Sequence, residues 1–263
     1  MKFGRYTFFS LTMLFLGGLV LLFILAPLLS IFFHTTFPSV SEALNDSEVT
    51  GSIALTLWTA MLGTIVLSFG AIPLAYMLAR RQFPLKNLVQ GIIDLPVVIP
   101  HSAAGIAILG VISRDSIIGK SASFFGFELV GHPAGIIIAM AFVSVPFLIN
   151  SARDGFAEVP ERIEKAALSL GASPSKVFFT ISLPLAWRSI VSGLILMFAR
   201  GMSEFGAVVI IAYHPMITPV LIYERFGAFG LNYARPVAAI FIVVSLFFFV
   251  LLRMMVKERN RDA

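Results

Sequence analysis

The stretch Pro160–Gly171, PERIEKAALSLG, is a short polar segment inside a very apolar chain. Pro160 suits the first position of a helix, Glu161 suits its first turn, and Gly171 suits its C-terminal stop. Between them Ile163, Ala166, Ala167 and Leu170 fall at i, i+3, i+4 and i+7, which is one helical face. From Pro160 to Leu170 such a helix is roughly 16 Å long, too short to cross a bilayer. Two of its four face positions are alanine, so whatever packs there comes close. Two readings stand for a helix of this kind between apolar runs: a grip for a soluble partner, or an amphipathic loop helix lying on lipid.

The rest of the chain supplies the membrane. Of its 263 residues 58% are hydrophobic and 13% are charged, against about 25% charged in soluble domains. Six spans are expected: Phe8–Phe33, Ile53–Ala79, Leu88–Ile112, Ala134–Asn150, Ile190–Tyr213 and Pro236–Val256. Each is near the ~20 residues that cross hydrocarbon. The basic residues then divide 14 to 4. One side carries Lys2, Arg5, Arg80, Arg81, Lys86, Arg153, Arg162, Lys165, Lys176, Arg188, Arg253, Lys257, Arg259 and Arg261. The other carries Arg114, Lys120, Arg225 and Arg235, and Arg200 stays inside a span. The positive-inside rule puts both termini and the Pro160 helix in the cytoplasm. A net charge of +5 therefore reads as membrane orientation and not as nucleic-acid binding. The first apolar run is far longer than a signal-peptide core and has no prompt small-residue cleavage site, so it is kept as a span. There is no cysteine, which removes disulfides, thiolate metal sites and thiol catalysis. No internal repeat is evident, which speaks against an inverted-repeat carrier.

Past Gly171, Ser173-Pro174 reads as an N-cap and first position of a second short helix, which Pro184 is expected to break before the next span. The loop at about 153–188 is thus a helix, a glycine turn and a helix, a rigid lever able to pass a push into the spans on either side. In the third span Pro96 and Pro100 each remove a backbone donor and kink or interrupt the helix. Freed carbonyls at membrane depth need protein or a wet cavity beside them, and His101 and Ser102 follow at once. The segment reads as a pore wall, or as a structural kink with His101 bonded to a neighbouring span. In the fifth span Arg200 and Glu204 stand at i, i+4, where intramembrane charges must face each other, a partner helix or water. Arg200 either meets a passing anion or pairs with Glu204 to hold the bundle. Gly201 and Gly206, near Ser203, permit close helix approach, as at a subunit interface.

Other features carry less. Gly119-Lys120-Ser121 imitates the end of a phosphate-binding loop, but Arg114 occupies the position where that loop needs glycine. His34, His132 and His214 are isolated and lack metal-ligand spacing. Asp154, Glu158, Glu161 and Glu164 alternate with bases and read as a solvated face. The exterior loops hold six acids against four bases, a net of −2, which does not concentrate anions. No HExxH, GxSxG or clustered His/Asp set supports an intramembrane enzyme. A secondary anion carrier would need coupling-ion carboxylates in its spans, and only Asp94 and Glu204 are candidates.

Glu164-Lys165-Ala166-Ala167, then Gly171, then Ile181-Ser182-Leu183-Pro184 resembles the EAA loop of ABC importer permeases; Lys165 stands where that pattern has its first alanine, off the apolar face. Asp94–Ser102 and Ala199–Ala207 resemble the third and fifth spans of molybdate/tungstate permeases, with sulfate permeases sharing the latter more loosely. The likeness runs over most of Leu57–Val256, and the first fifty residues carry no specific signal. It implies an all-α type I ABC importer permease, with six transmembrane helices and a cytoplasmic coupling helix. Residues 1–52 would be the first span and an external loop, 53–256 the permease core, and 257–263 a cytoplasmic tail in the cell membrane. It further implies a pore between two copies, two ATPase subunits docked at Glu164, Ala166, Ala167 and Gly171, and an extracytoplasmic molybdate/tungstate-binding protein. The translocation pathway would include Pro96, Pro100, His101, Ser102, Arg200, Ser203 and Glu204. ATP hydrolysis would lie on a separate subunit, so no catalytic residue, cofactor or metal is expected on this chain.

Overall fold

A computed structural model describes residues 8–255. The expected tail at 257–263 and the basic residues Lys2, Arg5, Lys257, Arg259 and Arg261 lie outside the described residues. Within them the chain is helical: α1 Phe8–Phe33, α2 Phe37–Asn45, α3 Ser47–Arg80, α4 Lys86–Val98, α5 His101–Ile112, α6 Ile117–Phe124 and α7 Pro133–Glu158. Then follow α8 Glu161–Ser169, α9 Pro174–Val177, a π-helical turn Phe178–Ser182, α10 Leu183–Met202, α11 Val208–Ile211, α12 Thr218–Phe229 and α13 Leu231–Met255. Five helical stretches are long and apolar enough to cross a membrane, six if the bent α4–α5 pair is counted as one broken span.

The centre is a layer of α3, α7 and α10. Small residues bring these helices together, because in a membrane close backbone approach replaces the hydrophobic drive for association. A Cβ added at Gly155 of α7 would lie 2.4 Å from Ser189 Cβ of α10, and one at Gly193 of α10 would lie 2.9 Å from Ser151 Cβ of α7. Two apolar clusters fill the layer. One gathers α3, α5, α7, α10, α11 and α12 around Met140, Phe198, Ile211 and Leu221. The other gathers α3, α7 and α10 around Leu78, Leu148, Phe156 and Ile190. α1 has no buried residue and touches α13, which leaves most of its surface for lipid or another chain.

Three expectations need correction. The fifth span does not run to Tyr213: α10 ends at Met202, and the chain turns through residues 203–207 into α11. Pro184 does not break the helix, which continues from Pro174 to Met202. The π turn at Phe178–Ser182 widens the backbone just before Pro184, so the proline ring is admitted without ending the helix. The residues read as exterior loops contain α2, α6 and α12, whose few turns are too short for a strong periodic signal. Boundaries also move: α7 runs past Asn150 to Glu158, and α13 begins at Leu231, ahead of Pro236. α3 begins at Ser47, ahead of Ile53, and Pro160 is the N-cap of α8 and not its first helical residue.

Candidate functional site

Two constellations stand out, one at the loop around α8 and one at the break between α4 and α5. In the first, the chain leaves α8 through Leu170 into Gly171, whose φ of 86° is the left-handed geometry that glycine supplies just past a helix stop. Ser173 then caps α9, its Oγ accepting from Lys176 N–H at 3.3 Å. The apolar face is turned outward: Ile163 is 41% exposed and Leu170 is 89% exposed, with Ala166 exposed and Ala167 half-buried.

Glu164 behaves differently from its neighbours, and the expectation of a solvated face fails for it: it is 6% exposed. Arg80, the last residue of α3, donates from Nε to Glu164 Oε2 at 2.9 Å and from Nη2 to Oε1 at 2.8 Å. This is a bidentate pair, the strongest geometry available to guanidinium and carboxylate. Ser182 Oγ donates to Oε1 at 2.7 Å and Tyr76 OH to Oε2 at 3.5 Å. The same Arg80 Nη2 also donates to Val159 O at 3.0 Å. Burial alone would raise the Glu164 carboxyl, but hydrogen bonds from Arg80, Ser182 and Tyr76 and the guanidinium charge outweigh it and hold it below the ordinary glutamate range. Tyr76, Phe156 and Phe178 pack around the pair, with Tyr76 ring centroids 5.2 Å and 5.0 Å from the other two. Arg80, Tyr76 and Ser182 were not among the expected site residues. The only sequence signals were a basic residue at a span end and the serine of the Ile-x-Leu-Pro run, and neither reveals a partner.

In the second constellation the backbone breaks at Ile99–Pro100, and α4 and α5 are bent by 111°. Pro96 is carried inside α4 and is buried. Pro100 makes the break: it forces Ile99 into an extended conformation, φ −73° and ψ 149°, which a helix cannot continue. His101 thereby starts α5 beside the turn that follows α10. Glu204, fully buried, is the centre of this site. Its Oε1 accepts from Ala207 N–H at 2.9 Å, which fixes the turn and explains why α10 stops where it does. Its Oε2 meets both Arg200 Nη2, at 3.0 Å, and His101 Nδ1, at 2.8 Å. Arg200 Nη2 is 2.8 Å from each ring nitrogen of His101. Equal distances place it over the ring face and not on one lone pair.

The structure therefore brings His101, Arg200, Ser203 and Glu204 together. Arg200 Nη1 donates to the exposed Ser203 Oγ at 3.3 Å, and Ser102 is exposed next to His101. Pro100 borders the cluster, while Pro96 sits one turn away. Gly206 is the enabling residue, since a Cβ there would be 2.7 Å from His101 Cβ. Gly201 meets Ser144, Met140 and Ala60. Both glycines permit close approach within the chain. Toward α8, a cleft of about 530 Å³ lies between α4, α7 and α10, bordered by Asp94, Asn150 and Asp154. Asn150 Nδ2 donates to Asp94 Oδ1 at 2.6 Å. Among the described residues, no three His, Asp or Glu side chains are grouped to hold a metal ion.

The molecule compares closely with known transporters. It is 41% identical over 250 residues to a molybdate/tungstate transport system permease protein, WtpB, of Pyrococcus furiosus, covering 94% of this chain and 95% of that protein. It is 30% identical over 232 residues to a sulfate transport system permease protein, CysT, of Synechocystis sp., covering 87% and 78%. Its fold matches the crystal structure of a bacterial ABC transporter that imports the acidic polysaccharide alginate, with a TM-score of 0.74, 16% identity and 96% of both chains covered. Residues 71–259 match the model of the binding-protein-dependent transport system inner membrane component. An all-helical bundle with five or six membrane-crossing elements, an outward-facing loop helix between two of them and these relatives lead to one conclusion: the chain belongs to the binding-protein-dependent transport system inner membrane component family and is a permease subunit of an ABC importer.

Proposed function

We propose that this permease moves molybdate and tungstate as a dimer of two identical chains, driven by two ABC ATPase subunits that seat on α8. A molybdate/tungstate-binding protein delivers the oxyanion to the opposite face. The chain lies in the cell membrane with both termini in the cytoplasm and does not itself hydrolyse ATP. The observation that carries the reading is the outward apolar face of α8, Ile163, Ala166, Ala167 and Leu170, on a loop whose inner side is tied into the bundle by Glu164. A short helix with an alanine-lined free face accepts close approach by a soluble partner, and Gly171 sets its end. Within this reading Glu164 contributes to coupling by bracing α8, while Ala166 and Ala167 make the contact.

The pathway is assigned to the break and the turn after α10. Arg200 is neutralised by Glu204, yet its second Nη, Ser203 and Ser102 face the accessible side. A tetrahedral oxyanion carries oxygens that those donors suit. A stand-alone carrier fits less well: both Glu204 oxygens are engaged, and Asp94 is bonded to Asn150. The test is uptake of molybdate into vesicles holding this chain with its candidate ATPase and binding protein. ATP-dependent, vanadate-sensitive uptake that excess tungstate suppresses and sulfate leaves unchanged is expected. Suppression by sulfate alone would move the assignment to a sulfate permease, and uptake without ATP would move it to a carrier.

A further inference from the structure

The side of α13 that meets α1 and α12 carries one charged side chain. Leu231, Ala234, Arg235 and Ala238 fall at i, i+3, i+4 and i+7 and form a single stripe. With Ile31 of α1 and Ile222 and Phe226 of α12 they border a groove of about 370 Å³. The two alanines keep its floor low, and apart from Ser30 of α1 the residues around the guanidinium are apolar. Arg235 lies near the start of α13, inside a candidate membrane span. Its Nη1 donates to Asn232 Oδ1 at 3.5 Å, the outer limit of a hydrogen bond, and it has no other partner among the described residues. The other bases expected on the side away from α8 are placed differently. Arg114 pairs with Glu128, Arg225 pairs with Asp46 and Glu48, and Lys120 is exposed on the short helix α6. The acids at this end, Glu42, Asp46, Glu48 and Glu224, line a separate cavity on the neighbouring face of α13.

We propose that this groove binds a phospholipid, with the lipid phosphate on Arg235 and an acyl chain lying on the apolar floor between α1 and α13. An arginine inside a span without a carboxylate is costly, and such a residue points to a partner. The cost is greater near the N-terminal end of a helix, where the dipole opposes a cation. A phosphate relieves both. It meets the guanidinium in the two-point geometry that arginine offers, and it lies at the helix end that attracts anions. Ser30, whose Oγ meets only His34 Nδ1 at 3.4 Å, stands on the facing helix as a second donor. The apolar lining selects the source of the phosphate. A free oxyanion would leave Ile31, Ile222 and Phe226 uncovered, whereas a lipid covers them. The groove has the size of a small-molecule pocket, so it takes the glycerol region and the head of one chain. The rest of the chain lies against α1, which has no buried residue. The proposal needs only that the chain crosses a membrane, and it is independent of which oxyanion is moved.

The test titrates the full-length permease, purified in detergent, with dioleoyl phosphatidylglycerol and counts bound lipid by native mass spectrometry. Wild type should keep one more phosphatidylglycerol per chain than Arg235→Gln, and the affinity for that lipid should fall at least ~10-fold in the variant. Lys120→Gln removes an unpaired base that lines no groove and should bind like wild type. Ala238→Phe keeps Arg235 but fills the floor, and it should lose the same lipid. Dioleoylglycerol has the same chains without the phosphate, and it should bind wild type and Arg235→Gln alike. In thermal unfolding, added phosphatidylglycerol should raise the melting temperature of wild type and leave that of Arg235→Gln unchanged. This gain is read within each protein, so a variant that folds less well still reports on the site. Equal phosphatidylglycerol binding by wild type and Arg235→Gln overturns the proposal and leaves Arg235 a cation reaching for water. Retention of the lipid by Ala238→Phe overturns the place given to the chain. Displacement of the lipid by inorganic phosphate or molybdate would make this a free-anion site, and its loss on dimerisation would make the groove an interface between copies; either result overturns the proposal.

Discussion

Two glutamates, Glu164 and Glu204, are both buried and both paired with arginine, yet their surroundings differ in kind. Glu164 receives four side-chain bonds distributed over both oxygens, from residues on α3 and the π turn before α10, and Arg80 meets it bidentately. Glu204 has one oxygen committed to a backbone N–H, and Arg200 and His101 converge on the other. The backbone around Glu164 is continuous helix, whereas Glu204 lies in a turn beside a helix break. One carboxylate is saturated and welds elements together. The other is shared between two cationic or hydrogen-donating groups, and exchanging them requires no new partner. The first geometry holds its elements in a fixed relation, and the second leaves one oxygen shared between groups from two elements.

The largest effect should come from breaking the shared site. Glu204→Met removes the buried carboxylate that Arg200, His101 and the Ala207 N–H share and should cost about 3–5 kcal/mol, seen as loss of folded permease on thermal unfolding in detergent. The double change Arg200→Gln with Glu204→Met removes both charges and should recover most of that stability. Uptake by the double variant then separates two roles: activity near wild type makes the pair structural, and a folded but inactive transporter makes Arg200 the cation that meets the anion. Equal stability of the single and double variants would remove the contrast drawn between the two sites.

Gly206→Ala should come next. Its Cβ would lie 2.7 Å from His101 Cβ, so α5 must withdraw, at about 1–3 kcal/mol. Gly70→Ala, where nothing lies within 4 Å, is the matched control and should be neutral in the same unfolding assay. A smaller effect is expected from acid. Glu164 is held below the ordinary glutamate range in the folded chain, so its stabilisation is complete above that range and is lost as pH falls through the lower folded value. The stability gap between wild type and Glu164→Gln should therefore narrow as unfolding is followed from pH 7 to pH 4. A gap that widens would mean the carboxyl is held neutral. The smallest effect should be at the far end of α3. Arg225→Gln breaks a half-exposed pair with Asp46 and Glu48 and should cost about 0–1 kcal/mol, diminished further in high salt.

Much of this was readable from residue order. The apolar runs and the Pro160–Gly171 punctuation depend on local composition and period, so they announced the membrane fold and α8 directly. Arg200 and Glu204 were expected as a pair because i, i+4 is a short-range relation that survived even where the helix ended. Pro100 signalled an interruption because its effect on Ile99 is steric and local.

What sequence order could not supply was every relation across the bundle. Glu164 looks like its exposed neighbours Glu161 and Lys165, and only the packing of α3 against α7 and α10 brings Arg80 to it from 84 positions away. The end of α10 at Met202 was equally hidden, since its cause is a bond from Ala207 N–H to a buried carboxylate that also needs His101 from α5. Residue order determined a membrane permease of five or six crossing elements with a short polar helix between two of them, because hydrophobic length and turn residues act over a few neighbours. The tertiary structure alone decided which buried charges meet, because the desolvation that forces them to pair exists only once the helices have packed.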